Sequence, residues 1–305
     1  MYRDYDNNNS NVLKLYKNMH TEQTYQKKID FSNQLKYNKS FYITDIFPKL
    51  NQVVDSSDPD AEFPQIFHGY QTAESIKNNY FINNNLKSIK IKDIFTEDDW
   101  NTLPTKYKNL YNTTITQLYN HIKDWKWLIL IGLIHDLGKV LVLKEFGNYP
   151  EWFSVGDIYP LGCKFSSSNI YYNNDFYKLC PDYNNTLYQS SIGIYSHNCG
   201  FDNVEMTFSH DYYLSNILQK SKTNLPYEAI YIIKYHSFYP WHTPNNNIRG
   251  YLELASEKDW YYLPLLKLFQ QSDLYSKTNI MPNIDSIQDY YNNLINLYIP
   301  HKIFF

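Results

Sequence analysis

Apolar side chains recur at three- and four-residue intervals along most of the chain, the spacing of helices that bury one face. The range 43–54 shows this pattern, with Ile43, Ile46, Leu50 and Val53 on one face. Alternation of apolar and polar residues, which is typical of strands, is scarce. The predicted fold class is therefore mainly α, one helical domain with a few short strands or hairpins. The same periodicity predicts further helices at 12–20, 24–34, 65–77, 191–195, 203–219, 226–235, 260–275 and 284–297.

The most apolar part of the chain is the range 125–146, which predicts a helix buried on most of its sides. Its longest uninterrupted apolar run extends from Trp127 to Ile134. A helix that spans a bilayer needs about 20 apolar residues. Because this run is far shorter, we interpret it as an element of a protein core and expect no membrane partner.

Two segments differ in character from the rest of the chain. We interpret residues 1–45 as an amino-terminal arm with short helical pieces, and residues 46–305 as a single domain. Within that domain the range 78–124 is rich in Asn, Lys and Tyr. We interpret it as an insertion that lengthens a loop, because surface insertions add little closure entropy. The run Thr96-Glu97-Asp98-Asp99 predicts that a helix begins inside it.

Charge and cysteine content narrow the classes of partner and the compartment. The chain of 305 residues carries 28 Lys and Arg against 31 Asp and Glu, a formal net charge of -3. Proteins that bind nucleic acid or an anionic membrane generally have a basic excess, so neither partner is expected. The cysteines Cys163, Cys180 and Cys199 lack the paired spacing of a metal finger. They favour a reducing compartment, and we expect a cytoplasmic location.

A set of histidines and aspartates in helical contexts carries side chains that bind metals. A single histidine is more often a hydrogen-bonded core or surface residue, so the hypothesis depends on the whole set. Imidazole and carboxylate ligands without cysteine suit iron, manganese or zinc. Four histidines and two aspartates exceed the needs of one ion with an open position, and suit two ions that share a carboxylate. The residues are His68, His135, Asp136, His210, His236 and Asp273.

The order of these residues is typical of HD-domain proteins, an all-helical superfamily that binds metals. A histidine is followed by the pair His135-Asp136 and then by a distant aspartate. The domain at 46–305 would be of this HD type. Metal-dependent phosphohydrolysis is one activity that the order allows, but the loops around Asp55 and Asp157 are acidic, which is unfavourable for phosphate. A metal scaffold that only binds a partner is a second alternative, although no ligand position is missing.

Longer segments that occur in a fixed order along the chain carry a more specific resemblance. They are Met19-His20-Thr21, Asp55-Ser56-Ser57-Asp58-Pro59-Asp60, Phe67-His68, Gly132-Leu133-Ile134-His135-Asp136-Leu137-Gly138-Lys139, Val155-Gly156-Asp157, Ser209-His210-Asp211, Tyr235-His236-Ser237-Phe238-Tyr239-Pro240-Trp241-His242 and Asp273-Leu274-Tyr275-Ser276-Lys277. In these segments the chain resembles the myo-inositol oxygenase family, from about residue 12 to the carboxyl terminus apart from the range 78–124.

The resemblance implies a catalytic domain that opens the ring of myo-inositol with O2 to give D-glucuronate. It implies two iron ions as a mixed-valent Fe(II)/Fe(III) pair, with Asp136 as the bridging and catalytic carboxylate. The first ion would be held by His68, His135, Asp136 and Asp273. The second would be held by Asp136, His210 and His236. We expect myo-inositol and O2 as partners, and a monomer.

The resemblance also implies which residues bind the substrate. Lys139 would be both a substrate ligand and catalytic, because a cation beside a metal-bound hydroxyl favours its alkoxide. Ser56 stands where the family typically has Glu, and Arg3 belongs to an Arg-Asp-Tyr run that resembles the family's Arg-Asn-Tyr. The other positions assigned to substrate binding are Asp55, Ser57, Gly156, Asp157, His236 and Ser237.

Overall fold

The computed structural model of the chain describes residues 10–53, 64–83, 85–275 and 282–305. Within these ranges the chain is mainly helical, which confirms the predicted fold class. Strands β1 (Ser40–Phe41) and β2 (Ile303–Phe304) form a short antiparallel pair. The helices are α1 (Ser10–Glu22), α2 (Tyr25–Gln34), α3 (Ile43–Leu50), α4 (Gln65–Ile76), α5 (Ile91–Ile94), α6 (Glu97–Thr102), α7 (Ile115–Leu118), α8 (Trp127–Ile134), α9 (His210–Lys220), α10 (Tyr227–Tyr235), α11 (Tyr239–His242), α12 (Glu257–Tyr275) and α13 (Ile284–Tyr298).

The amino-terminal arm packs onto the core of the molecule. Helices α1 and α2 confirm the helical pieces predicted at 12–20 and 24–34. Val12, Tyr16 and Met19 on α1 are buried in the same apolar cluster as the long helices. The division of the chain at residue 45 stays a prediction. Among the described residues, no helix is both long and apolar enough to cross a membrane.

The apolar range 125–146 is not one helix, which corrects the prediction. Helix α8 ends at Ile134, and 3₁₀ turns follow at Leu137–Val142 and Lys144–Phe146. All eight residues of α8 are buried, as the uninterrupted apolar run predicted. Such a run indicates burial, but it holds no information about where the helix ends.

The change of geometry after α8 brings two charged residues together. The backbone of Gly138 lies so close to the carbonyl oxygen of His210 that a Cβ atom would overlap it. From Leu137 the chain follows a 3₁₀ path, in which side chains three residues apart eclipse each other. Lys139 therefore lies over Asp136, with its Nζ 2.9 Å from Asp136 Oδ2.

Close contact between α4 and α8 brings two histidines together. A Cβ atom on Gly69 would overlap the backbone carbonyl of Leu133, so glycine allows the two helices to approach backbone to backbone. This approach brings the ring of His68 on α4 to 5.3 Å from the ring of His135 at the end of α8. The helix crossing thus positions two of the six candidate ligands.

Several predicted helix limits differ from the structure. Residues 191–195 form turns rather than a helix, since Gly193 has a φ of +58°. The helix predicted at 203–219 begins only at α9, where the Ser209 hydroxyl accepts a hydrogen bond from the Tyr212 amide (3.3 Å). Helix α3 ends at Leu50, earlier than predicted. The helices predicted at 226–235, 260–275 and 284–297 are confirmed as α10, α12 and α13.

The segment 78–124 contains α5, α6 and α7 and a 3₁₀ turn at Thr105–Asn112. The predicted helix start at Thr96 is confirmed. The hydroxyl of Thr96 accepts a hydrogen bond from the Asp99 amide (3.3 Å), and the Asp99 carboxylate accepts one from the Thr96 amide (2.8 Å). Asp99 itself is fully buried, which is unusual for an aspartate in a surface loop. The interpretation of the whole segment as an insertion stays a prediction.

Candidate metal centre

The structure brings all six predicted metal ligands into one cluster, in which His68 is partly exposed and the other five are buried. His68 comes from the first turn of α4, and Asp273 from the end of α12. The other four stand at helix ends, where the backbone turns and side chains converge. His135 and Asp136 follow α8, His210 opens α9 and His236 follows α10.

One group of donor atoms lies between α4, α8 and α12. Nε2 of His68 is 2.9 Å from Asp273 Oδ1, and Nε2 of His135 is 3.2 Å from the same oxygen. The Nε2 of His135 is also 3.7 Å from Asp136 Oδ2. A metal ion bound at about 2.1 Å holds neighbouring donor atoms roughly 3 Å apart. These separations are close to those that a single ion requires.

A second group lies on the other side of Asp136. Nε2 of His210 is 3.3 Å from Asp136 Oδ1, and Nε2 of His236 is 3.7 Å from it. The two Nε2 atoms are 3.4 Å apart. Asp136 therefore presents Oδ2 to the first group and Oδ1 to the second. Two neighbouring groups able to hold a metal ion share this one carboxylate.

His135 and His236 each form a hydrogen bond through Nδ1, the ring nitrogen that points away from the metal centre. These bonds leave Nε2 facing the centre. Nδ1 of His135 donates to the carbonyl oxygen of Gly132, and Nδ1 of His236 donates to that of Ile233, both at 2.9 Å. A neutral imidazole with its proton on Nδ1 carries a lone pair on Nε2. Both rings are thus held in the tautomer that a metal ligand needs.

The carboxylates of the centre stay ionised although they are buried. Burial raises the pKa of the Asp136 carboxyl, but the Lys139 ammonium and the His135 imidazole outweigh it and hold the pKa well below its usual range. Burial likewise acts on Asp273, and His135 and His68 lower its pKa well below the usual value. Ionised oxygens are the form in which carboxylates bind cations. The electrostatics therefore suit a site for metal ions.

Asp211 is a buried neighbour of the candidate ligands to which the sequence analysis gave no role. Its side chain is fully buried, and it accepts a hydrogen bond from the Ser237 hydroxyl at 2.6 Å. Asp211 Oδ1 lies 2.8 Å from His236 Nδ1, beside the N–H bond that points to Ile233, and Oδ2 lies 3.7 Å from His210 Nδ1. One carboxylate thus supports both histidines of the second group. Its position directly after His210 in the sequence was the available signal.

Asp211→Asn is expected to weaken metal binding at the second group by about 10- to 100-fold, the usual effect of losing an outer carboxylate partner of a ligating histidine. The amide keeps the shape of the side chain but removes the negative charge beside both imidazoles. Titration of the metal-free protein with Fe(II) under anaerobic conditions measures the change. Asp30→Asn, at an exposed position on α2, is the matched control. Equal affinity in the two variants would contradict a supporting role for Asp211.

The described part of the predicted substrate site lies beside His236. Ser237 follows it directly, and the carbonyl oxygen of Ser237 accepts the Ile158 amide (3.1 Å). This pairing sets Gly156 against Ser237, where a Cβ atom would lie 3.2 Å from the Ser237 Cβ. Asp157 accepts a hydrogen bond from the Tyr16 hydroxyl of the arm (2.7 Å). Gly156, Asp157, His236 and Ser237 are therefore neighbours in space.

Lys139 is predicted both to bind the substrate and to take part in catalysis. It is buried, and in addition to Asp136 its Nζ donates to Gln65 Oε1 at 3.2 Å. Gln65, like Tyr16, has no sequence motif that marked it. The remaining predicted substrate residues, Arg3, Asp55, Ser56 and Ser57, lie outside the described residues.

Two further side chains, those of Gln270 and His242, contact the backbone of His236, a ligand of the second group. The carbonyl oxygen of His236 accepts hydrogen bonds from Gln270 Nε2 and, at 2.8 Å, from His242 Nε2. Burial, followed by the nearby Lys267, lowers the pKa of His242 to about 3, so its ring is neutral. His242 is therefore a support of His236 and takes no part in the two ligand groups.

Fold and centre together define a helical protein in which two groups of His and Asp side chains, each able to hold a metal ion, share one carboxylate. A sequence model of the family described as myo-inositol oxygenase matches residues 9–94 and 86–305. The chain belongs to the myo-inositol oxygenase family, which confirms the resemblance. The two matched ranges together include the segment 78–124.

Named relatives agree with this assignment over almost their full length. The chain is 38% identical over 306 residues to the inositol oxygenase of Dictyostelium discoideum, which covers 99% of this chain and 89% of that protein. It is 34% identical to the inositol oxygenase of Danio rerio, over 98% of this chain and 91% of that protein. Identity to the inositol oxygenase of Homo sapiens is also 34%, over 95% and 85%.

Proposed function

We propose that the chain is an enzyme that opens the ring of myo-inositol with O2 to give D-glucuronate. The observation that carries this proposal is the pair of donor groups that share Asp136, found in a member of a family whose named relatives are inositol oxygenases. An oxygenase needs a metal centre that leaves positions open for substrate. The second group supplies three protein ligands, so an ion there would keep such positions.

Two iron ions in a mixed-valent Fe(II)/Fe(III) state are the proposed cofactor. His68, His135, Asp136 and Asp273 would hold the first ion, and Asp136, His210 and His236 the second. The fixed tautomers of His135 and His236 support this assignment, because Nε2 of each ring carries the lone pair. The bound iron pair supplies the activation of O2 and the oxidising power for ring cleavage.

Lys139 is proposed to control the proton of a substrate hydroxyl. Its ammonium group is buried beside Asp136, so its charge acts in a low-dielectric setting where electrostatic effects are strong. Its Nζ pairs with Asp136 Oδ2, the oxygen that faces the first group, so a substrate hydroxyl that reaches this side of the shared carboxylate would meet the cation, which favours loss of the hydroxyl proton. Gln65 accepts a hydrogen bond from the same Nζ and holds the lysine in position.

The neighbouring polar groups are proposed to orient the cyclitol. The Asp157 carboxylate and Ser237 hydroxyl are short partners for ring hydroxyls, and each buried hydroxyl left without a partner costs about 1–3 kcal/mol. Glycine at 156 keeps the backbone open on that side. The same role for Arg3, Asp55, Ser56 and Ser57 rests on the family resemblance. The Tyr16–Asp157 hydrogen bond supports a contribution of the arm at 1–45 to the catalytic domain at 46–305.

A metal-dependent phosphohydrolase is the competing function. Carboxylates outnumber cations around the centre, with Asp136, Asp157, Asp211 and Asp273 set against Lys139. Bound metal ions would offset much of this negative charge, so an assay of the reaction, and not the sign of the side chains alone, separates the two functions. We further propose a monomer that works in the cytoplasm.

Metal content and O2 consumption test the proposal together. The protein, loaded anaerobically with Fe(II) and partly oxidised, is expected to hold about two irons per chain and to consume O2 only after myo-inositol is added, with glucuronate as product. Release of phosphate from a nucleotide or an inositol phosphate without O2 uptake would favour the hydrolase. Absence of bound metal would contradict both functions.

A further inference from the structure

A cavity of about 350 Å³ lies away from the metal ligands, between α1 and the loops that follow Tyr159. Cavities of this size commonly hold small organic ligands. None of the six metal ligands is among the residues that line it. Its walls include His20, Tyr159, Phe165, Tyr172, Tyr177 and Asp182.

His20 is a buried polar side chain in this wall. It is 1% exposed, and within the described residues neither Nδ1 nor Nε2 has a hydrogen-bond partner. Its neighbours are aromatic, with ring centroids of Phe165 at 4.9 Å and Tyr159 at 5.7 Å, both edge-on. Burial lowers the pKa of His20 to about 3, so the ring is neutral and one nitrogen offers a lone pair. A buried acceptor left without a donor costs about 1–3 kcal/mol.

Asp182 brings a negative charge to the same cavity. Its carboxylate is half-buried and accepts a hydrogen bond from the Tyr25 amide at 2.7 Å. Across the described part of the chain, no lysine, arginine or histidine forms an ion pair with it. Lys164 also lines the cavity, but its side chain is exposed. The carboxylate therefore has capacity for a cationic partner.

Three stacked rings form the aromatic wall. The rings of Phe165 and Tyr177 are 4.8 Å apart and inclined by 11°, and those of Tyr177 and Tyr172 are 5.1 Å apart and inclined by 13°. The faces of aromatic rings attract cations, and the attraction strengthens when the cation is desolvated. An aromatic wall with a carboxylate and a lone-pair acceptor is a combination that recognises a protonated amine.

We propose that this cavity binds a small organic cation, an ammonium or guanidinium compound with a flat apolar body. Its N–H groups donate to Asp182 and to the free lone pair of His20, and its body packs against the stack of Phe165, Tyr177 and Tyr172. This binding is independent of the reaction at the metal centre. The carboxylate, the imidazole and the aromatic wall that would bind it belong to residues outside the two ligand groups.

Benzylamine is a suitable probe, and benzyl alcohol is its uncharged counterpart of nearly the same shape. Isothermal titration calorimetry with the iron-loaded protein, under anaerobic conditions and in excess myo-inositol, measures both affinities without interference from the metal centre. Benzylamine is expected to bind at least tenfold more tightly than benzyl alcohol. Asp182→Asn is expected to remove most of this preference, while its amide oxygen can still accept the Tyr25 amide.

Asp175→Asn is the matched control, an exposed carboxylate nearby in the same loop, at a left-handed position that asparagine tolerates (φ of 57°). It should leave the affinity for benzylamine unchanged. Tyr177→Leu is a second variant and should weaken benzylamine binding without altering the metal content. Equal affinity for amine and alcohol, full affinity in Asp182→Asn, or absence of benzylamine binding would each overturn the proposal.

Discussion

Asp136→Ala is expected to abolish inositol-dependent O2 consumption and to empty both metal positions, the largest effect of any single substitution considered. Among the described residues, Asp136 is the ligand that the two donor groups share, and it lies 3.3 Å from His210 through Oδ1 and 3.7 Å from His135 through Oδ2. The loss should exceed the roughly 10- to 100-fold effect of removing an outer partner of a ligand. Iron content by elemental analysis and O2 uptake with an electrode measure the two effects.

The control for this substitution is Asp30→Ala, an exposed carboxylate on α2 that should leave both readings unchanged. Circular dichroism separates loss of metal from loss of fold, because α8 is buried by apolar contacts that the substitution does not touch. If Asp136→Ala retained two irons per chain and half of its activity, the shared-carboxylate arrangement would be wrong.

The metal centre was accessible from sequence because its chemistry is concentrated in a few residue types. The order of His68, His135-Asp136 and Asp273 along the chain indicated a metal-binding helical fold, and the structure does bring these side chains together. The support of the ligands was not accessible in the same way. Gln65 and Gln270 act through hydrogen bonds to Lys139 and to the His236 carbonyl, which depend on the packing of separate helices.

Errors in the predicted elements have the same physical origin. After α8 ends at Ile134, the chain packs Gly138 against the backbone of His210, which lies far away in the sequence. The range 191–195 has an apolar pattern, but Gly193 packs its backbone against that of Gly162 with a positive φ. Periodicity within a window cannot register such contacts, because it describes only neighbours along the chain.

The segment 78–124 shows the largest difference between local pattern and packing. The sequence of this segment is typical of a polar surface loop. In the structure, however, Asp99 within the segment forms a buried cluster of ion pairs. Arg249 Nη2 lies 2.8 Å and Lys267 Nζ 2.7 Å from its carboxylate oxygens, and Arg249 also donates to the Trp241 carbonyl. Burial raises the pKa of Asp99, but Lys267 and Arg249 outweigh it and lower the pKa below the usual value.

This cluster connects the segment to the metal centre. Trp241, which accepts the Arg249 hydrogen bond, directly precedes His242, and His242 donates to the His236 carbonyl at 2.8 Å. Lys267 stands on α12, the helix that carries Asp273. The segment 78–124 therefore helps to hold both α12 and the chain after α10. Removal of the segment should therefore displace two of the candidate ligands, Asp273 on α12 and His236 after α10.

Asp99→Asn is expected to lower the free energy of unfolding by about 3–5 kcal/mol, the usual cost of breaking a buried ion pair from one side. The substitution removes the carboxylate that pairs with the buried charges of both Arg249 and Lys267. Urea unfolding followed by circular dichroism at pH 7 measures the loss. Because the pKa of Asp99 is lowered in the folded state, its stabilisation is complete above the ordinary aspartate pKa. The stability gap should therefore narrow as the pH falls below that value.

Asp93→Asn is a closely matched control, because Asp93 occupies the equivalent capping position of the neighbouring helix α5 but is exposed to solvent. Its carboxylate accepts the Lys90 amide at 2.9 Å, as Asp99 accepts that of Thr96. Loss of such a cap typically costs about 1 kcal/mol. The two variants thus separate the contribution of the cap from that of the buried charges. Equal destabilisation would mean that Asp99 contributes no more than a helix cap, and that the segment is held in place by its apolar contacts alone.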